Sequence, residues 1–172
     1  MSKSIRFHMP AQILVIFLIV FPCLSFADQF KCTRVVDGDT IHVVDNGNQL
    51  TIRLVGIDAP ETSHKKREPG QPFSQKSTKY LVSLVLNKMV EMKSYGQDRY
   101  GRTLGAVYVN GMNVNLEMVK AGLAEVYRGS PAPGFDNDPY WEAEKEARQA
   151  NREMWVQGDK YVSPREWRKM NR

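Results

Sequence analysis

Histidine and cysteine are both scarce: the 172-residue chain holds three of the first and two of the second. Two cysteines cannot build a disulfide scaffold. Neither His42 nor His64 stands at a spacing that suits zinc. No glycine-rich, phosphate-cradling loop is present, and no Ser, His and Asp set suggests a nucleophilic hydrolase. The absence of any repeat of about 20–50 residues excludes a solenoid or propeller. What the chain does hold is ordinary for a globular protein, 42% hydrophobic and 25% charged residues. That excludes wholesale disorder and leaves room for one domain with a sizeable core.

The longest apolar run, Ile13 to Phe21, is short for a membrane span, which takes about 20 residues. It follows Lys3 and Arg6 and precedes Ser25-Phe26-Ala27, whose small residues suit a signal-peptidase site before Asp28. Residues 1–27 are therefore expected to be a signal peptide, and the protein to be exported, secreted or periplasmic. An uncleaved anchor over Ala11 to Ala27, tethering the protein to a membrane, is the alternative. The bulky Phe21-Pro22 before Cys23 argues against lipidation. Cleavage takes away Lys3, Arg6 and Cys23, so the net charge falls from +5 to +3 and Cys32 has no intrachain partner. Cys32 lies in an apolar, strand-like stretch and reads as a small buried hydrophobe.

Charge is unevenly placed. Lys65 to Arg102 carries nine basic and three acidic residues, whereas Asp136 to Glu146 carries five acidic and one basic. Arg165, Arg168, Lys169 and Arg172 make a basic tail. A basic middle suits an anionic partner, although charge runs are usually solvated faces. Lys65-Lys66-Arg67 reads as a solvated loop, and Trp141, Trp155 and Trp167 read as packing residues.

Residues 30–36, 40–44 and 49–55 alternate in the manner of strands, with Ile41 and Val43 opposite His42, and Ile52 and Leu54 opposite Arg53. Asp45-Asn46-Gly47-Asn48 between the last two is a hairpin turn, so the three make an antiparallel meander. Helical spacing of Phe73, Tyr80, Leu81, Leu84 and Val85 predicts a helix over Phe73 to Asn87. Strands at Met89 to Lys93 and Thr103 to Val109 follow, then a helix over Asn113 to Ala121. A third helix would place Ala143, Ala147, Ala150 and Met154 on one face. Ser163-Pro164-Arg165-Glu166 is a capping box opening a short terminal helix. Five strands with a helix between the third and fourth fit an OB-type Greek-key barrel, or else an open α+β sheet.

A meander returns the end of its third strand beside the start of its second. Asp39, in Val36-Asp37-Gly38-Asp39-Thr40, is thereby expected to approach Asp58, in Asp58-Ala59-Pro60-Glu61-Thr62. Two carboxylates held close repel, and a hard divalent cation removes that cost. Carboxylates without His or Cys nearby favour Ca²⁺, Mg²⁺ or Mn²⁺ over Zn²⁺.

Taken with Arg53-Leu54 and Asp98-Arg99-Tyr100-Gly101-Arg102, these motifs resemble the staphylococcal nuclease (thermonuclease) family, in order and spacing, from about Phe30 to Trp155. The resemblance implies an α+β protein, mainly β with packed helices: a five-stranded OB-type Greek-key barrel with about three helices. That domain spans residues 28–158, followed by a basic tail, 159–172, with a short helix. It implies a Ca²⁺-dependent nuclease acting on DNA and RNA; no protein partner is inferred from the sequence, and a monomer is the expectation. Asp39 and Asp58 resemble the family's side-chain Ca²⁺ ligands, and Ala59 occupies the position that ligates through its carbonyl. Asp37 resembles a carboxylate near the metal. Glu61 matches the general base, and Arg53 and Arg102 match the phosphate-clamping arginines. Arg99 and Tyr100 would lie beside the phosphate, and Tyr127 alone stands where the best-known member has two nucleotide-contacting tyrosines. Arg53→Ala or Arg102→Ala is expected to lower turnover by at least about two orders of magnitude without unfolding the protein. The competing expectation is an OB-type module that binds nucleic acid or protein without cutting it.

Overall fold

The computed structural model describes residues 29–63 and 69–171. Residues 1–27, expected to be a signal peptide or anchor, His64 and the Lys65-Lys66-Arg67 run fall outside the described residues.

Strand β1 (Gln29–Val35), β2 (Thr40–Asp45) and β3 (Asn48–Leu54) form the expected meander. Asn46 and Gly47 both take left-handed backbone, φ 45° and 86°. That is the geometry of a two-residue I′ turn, whose twist matches the strands it joins. The turn fixes the register from Asp45↔Asn48 back to Thr40↔Arg53. Alternation then drives Cys32, Ile41, Val43, Ile52 and Leu54 into the core, each larger aliphatic contributing roughly 1.5–3 kcal/mol. Cys32 is a buried free thiol, as its apolar setting indicated.

A two-residue strand, β4 (Ile57–Asp58), leads past the loop to helix α1 (Ser74–Val85). Then come β5 (Met89–Gln97) and β6 (Thr103–Val109). β5 pairs antiparallel with β1 and β6, and β6 pairs parallel with β3. This closes a five-stranded barrel in the order β1-β2-β3-β6-β5, the OB-type arrangement, and excludes the open sheet. The parallel seam is fastened by a buried amide. Asn115 accepts from the Val107 N–H at 3.0 Å and donates to the carbonyls of Val55 and Gly105 at 2.9 and 3.0 Å.

Asn115 sits on α2 (Val114–Lys120), which follows the short β7 (Met112–Asn113). The Asn113 side chain caps α2 by accepting from the Leu116 N–H at 3.0 Å. β8 (Glu125–Val126) then pairs with β4 in the register Asp58↔Glu125. Helix α3 (Asp138–Gln149) comes next, then a 3-10 stretch (Glu153–Lys160) kinked at Gly158, and α4 (Pro164–Met170). The capping box of α4 is formed from both sides: the Glu166 N–H donates to Ser163 Oγ at 3.2 Å and the Ser163 N–H to Glu166 Oε2 at 3.3 Å.

Two expectations need correction. β5 runs on past Lys93 to Gln97, through a bulge between Ser94 and Gln97. Helix α3 stops at Gln149, because Asn151 and Glu153 turn left-handed at φ 49° and 47°. Ala150 is therefore exposed rather than on the buried face. Met154 is buried all the same, carried inward by the 3-10 stretch.

Glu125 is a buried acid in this framework, with 1% of its surface exposed. Its Oε2 accepts from the Tyr161 hydroxyl at 2.8 Å, and Arg128 lies 4.0 Å away. Burial pushes its pKa up to about 7 against those two attractions, with Asp58 and Glu144 adding to the rise. The folded form thus holds a proton that the unfolded chain gives up near pH 4.5. The stabilisation is complete below that pH and is lost as pH climbs toward 7. Glu125→Gln should remove this loss. The difference in unfolding free energy between variant and parent, from urea titrations at pH 5 and pH 8, should move in the variant's favour by on the order of 1–3 kcal/mol.

Candidate active site

Asp39 follows a glycine that nothing else could replace. A Cβ on Gly38 would lie 2.1 Å from Ser77 Oγ on α1 and 2.7 Å from the Ala59 Cβ. The Asp37-Gly38-Asp39 turn therefore presses between helix and loop, which brings Asp39 against the segment after β3. The Leu54 N–H donates to the Asp39 carbonyl at 2.8 Å, and the Ala59 N–H to Asp39 Oδ2 at 3.2 Å. Asp37 turns back on its own loop and accepts from the Asp39 N–H at 3.0 Å.

Asp39 and Asp58 do meet, across one guanidinium. Arg53 places Nη1 2.9 Å from Asp39 Oδ1 and Nη2 3.0 Å from Asp58 Oδ1. Both carboxylates are almost wholly buried, at 4% and 1% exposure. Burial pushes the Asp39 pKa up to about 7; Arg53 opposes this, while Asp37 and Asp58 add to it. Arg53 responds in kind: burial disfavours its charge, but Asp39 and Asp58 raise its pKa above the usual arginine value.

A cleft of about 840 Å³ opens above these groups. Asp39, Arg53, Ala59, Glu61, Arg99, Tyr100, Arg102 and Tyr127 all line it. Every residue named from the sequence except Asp58 thus reaches one cleft. Asp58 lies beneath it, under Arg53 and a residue that sequence reasoning missed, Arg168. From α4, Arg168 bonds Asp58 through Nη1 (3.0 Å) and Nη2 (2.7 Å), and its Nη1 also bonds Glu61 Oε1.

Gln71 was missed as well. The Glu61 N–H donates to its Oε1 at 3.0 Å, its own N–H donates to the Glu61 carbonyl at 2.8 Å, and its Nε2 donates to the Val162 carbonyl at 2.7 Å. One buried amide thus holds the backbone of Glu61 and the approach to α4. No sequence signal marks Gln71. For Arg168 the capping box gave the helix but not its destination.

Arg102 engages Asp98, with Nε 2.8 Å and Nη2 2.7 Å from Oδ2. Burial works against the Asp98 charge, yet the bonds from Arg102 and the Tyr100 and Arg102 amides hold its pKa below the ordinary carboxylate value. Tyr100 is exposed, with the Arg99 guanidinium 4.8 Å from its ring centroid and that of Arg102 at 5.6 Å. Of the tryptophans, Trp155 packs as expected against Tyr161 at 4.6 Å. Trp141 instead stays 39% exposed, with the Arg128 guanidinium 4.5 Å from its ring centroid.

Among the described residues no three acidic, His or Cys side chains converge as a metal site. The donor set at Asp39 and Asp58 is two carboxylates beside the Ala59 main chain. Oxygen donors alone, with a buried carboxylate whose charge is unfavourable, fit a hard divalent cation.

Comparison with known proteins agrees with this geometry. The family described as staphylococcal nuclease homologue matches residues 51–157. An uncharacterized endonuclease of Escherichia coli O157:H7 is 43% identical over 157 residues, covering 90% of this chain and 94% of the relative. One of Haemophilus influenzae is 35% identical over 163 residues, covering 94% of this chain and 84% of the relative. The probable endonuclease LCL3 of Paracoccidioides lutzii is 38% identical over 132 residues, 69% of this chain and 38% of that longer protein. The chain belongs to the staphylococcal nuclease homologue family and is a nuclease.

Proposed function

We propose that the protein is a Ca²⁺-dependent nuclease hydrolysing phosphodiester bonds of DNA and RNA, and that Asp39, Arg53, Asp58, Glu61 and Arg102 carry the reaction. The observation behind this reading is that Asp39, Glu61 and both arginines line one cleft, with Asp58 directly beneath it against Arg53. Asp39, Asp58 and the Ala59 carbonyl would hold the ion. Bound there, a hard cation supplies neutralisation of phosphate charge and polarisation of the P–O bond.

The remaining work falls to side chains. Arg53 and Arg102 offer planar forks that never lose their charge, suited to the extra negative charge of the pentacoordinate transition state. Each now bonds a carboxylate, and both line the cleft, so a phosphate would meet guanidinium groups already oriented by Asp39, Asp58 and Asp98. Glu61 accepts the proton of the attacking water. Arg99 and Tyr100 flank the phosphate, and Tyr127 offers a ring to a base. Water attacks phosphorus as its proton passes to Glu61, the bond to the leaving oxygen breaks, and that oxygen takes a proton from solvent.

Plasmid and RNA digestion in Ca²⁺, in Mg²⁺ and in chelator tests this. Digestion of both substrates should appear with Ca²⁺ and disappear with chelator. Cutting that persists in chelator would remove the metal from the reading.

Export is the matching cellular proposal, resting on the charge, apolar run and small residues of residues 1–27. Among the described residues no helix is long and apolar enough to cross a membrane. N-terminal sequencing of the protein made in cells should find Asp28 first; a start at Met1 would support the anchor.

A further inference from the structure

Arg168 is a charged residue lining the cleft that the proposed chemistry does not use. Its guanidinium takes both oxygens of Asp58, at 3.0 and 2.7 Å, and touches Glu61 as well. Arg53 already bonds Asp58 Oδ1. Asp58 therefore has two arginine partners and a side chain only 2% exposed, while the Arg168 side chain is 37% exposed and lines the cleft. Arg168 and Arg53, which both line the cleft, cover Asp58 from that side.

From this we infer that Arg168 is a resident counter-cation that competes with the divalent ion for Asp58, and so sets the cation concentration at which the site loads. The inference rests on the reading of Asp58 as a metal ligand. Its physical basis is linkage: when a binding-competent state is only a fraction of the population, apparent affinity falls by that fraction. A charge-assisted, two-pronged bond to a buried carboxylate keeps the uncovered state of Asp58 in the minority. Divalent charge outcompetes a single guanidinium once the ion is abundant.

The tail is built to hold Arg168 in reach. Ser163 and Glu166 cap α4, Pro164 is buried at its first turn, and Gln71 grips the Val162 carbonyl. Tyr161, just before, packs against Trp155 with the rings tilted and donates to Glu125. These anchors leave the guanidinium to withdraw by side-chain rotation alone, with the helix in place. Charge on the tail in general does not suffice, because Arg165 on the same helix is exposed and has no bond to Asp58.

Calorimetric titration of the full chain with Ca²⁺, in the absence of nucleic acid, tests the inference. Arg168→Gln should bind Ca²⁺ about tenfold more tightly than the parent, and Arg165→Gln should bind as the parent does. Simple damage to the site would weaken binding, so the direction of change separates competition from a structural role. Equal or weaker binding by Arg168→Gln, with the parent binding normally, would overturn the inference and leave the metal site standing. Absence of binding in all three proteins would overturn the metal reading and the inference with it. Should Arg168→Gln lose its folded circular dichroism, Arg168→Lys keeps the charge without the fork. It should then tighten binding by a smaller factor, and unchanged affinity in that variant would count against competition.

Discussion

Arg53→Ala should lower the rate of phosphodiester cleavage by at least about two orders of magnitude and also weaken the fold. The rate loss follows from removing a preorganised cationic donor, which costs about 10²–10³. The fold suffers for a separate reason. Arg53 is the guanidinium shared by Asp39 and Asp58, whose side chains are only 5% and 2% exposed. Taking it away leaves two buried carboxylates facing one another, with Arg168 on the far side of Asp58 alone. Breaking such a buried pair costs about 3–5 kcal/mol. The sequence-based expectation of lost turnover without lost stability therefore suits Arg102 and not Arg53. Arg102 pairs with Asp98 at a turn, where both side chains reach solvent, at 27% and 15% exposure. A pair of that kind contributes about 1 kcal/mol or less. Initial rates on plasmid DNA together with urea midpoints should thus place the two alanine variants together in activity and apart in stability. An Arg53→Ala protein that cut DNA at the parental rate would end its role as a phosphate clamp.

Much of this geometry was legible because it depends on short-range pattern. Ile41, Val43, Ile52 and Leu54 announce two strands with one buried face, and Asn46-Gly47 announces the turn that pairs them. Once those strands pair, Asp39 must lie beside the end of β3, and Asp58 follows a few residues on. The capping box at Ser163 was equally local. What could not be read is what the chain joins across distance. The parallel seam of β3 and β6 depends on Asn115, whose amide looks like any polar helical residue until it reaches the Val55 carbonyl 60 positions away. The contact of Arg168 with Asp58 spans 110 positions and leaves no periodic trace. Alternation alone stops β5 short at Lys93, because the bulge beyond it, with Gly96 at φ 97°, breaks the period-two pattern. The third helix was extended too far because Ala150 and Met154 continue its apolar spacing, while the turn that ends it lies in the backbone of Asn151 and Glu153.

Glu61→Gln should abolish most of the activity while sparing the fold and substrate binding. Glu61 stands at the cleft with 29% of its side chain exposed, and Gln71 fixes its backbone from both sides. Glutamine has the same shape, and its carbonyl oxygen still accepts a bond from Arg168. Neither the loop nor the tail loses its anchor. What vanishes is a group able to take a proton from water, and general base catalysis contributes about 10²–10⁴ in rate. On the proposed reading Arg53 and Arg102 remain to hold the phosphate, so the loss should fall on the chemical step and leave affinity nearly unchanged. Single-turnover cleavage of a labelled oligonucleotide, beside its dissociation constant, separates the two quantities. A variant that cleaves within a few-fold of the parent would transfer the base to another group. A variant that cleaves slowly only because it binds weakly would make Glu61 a positioning residue. With Arg168 also removed, Glu61→Gln should still be slow, because freeing Asp58 for a cation supplies no acceptor for the proton.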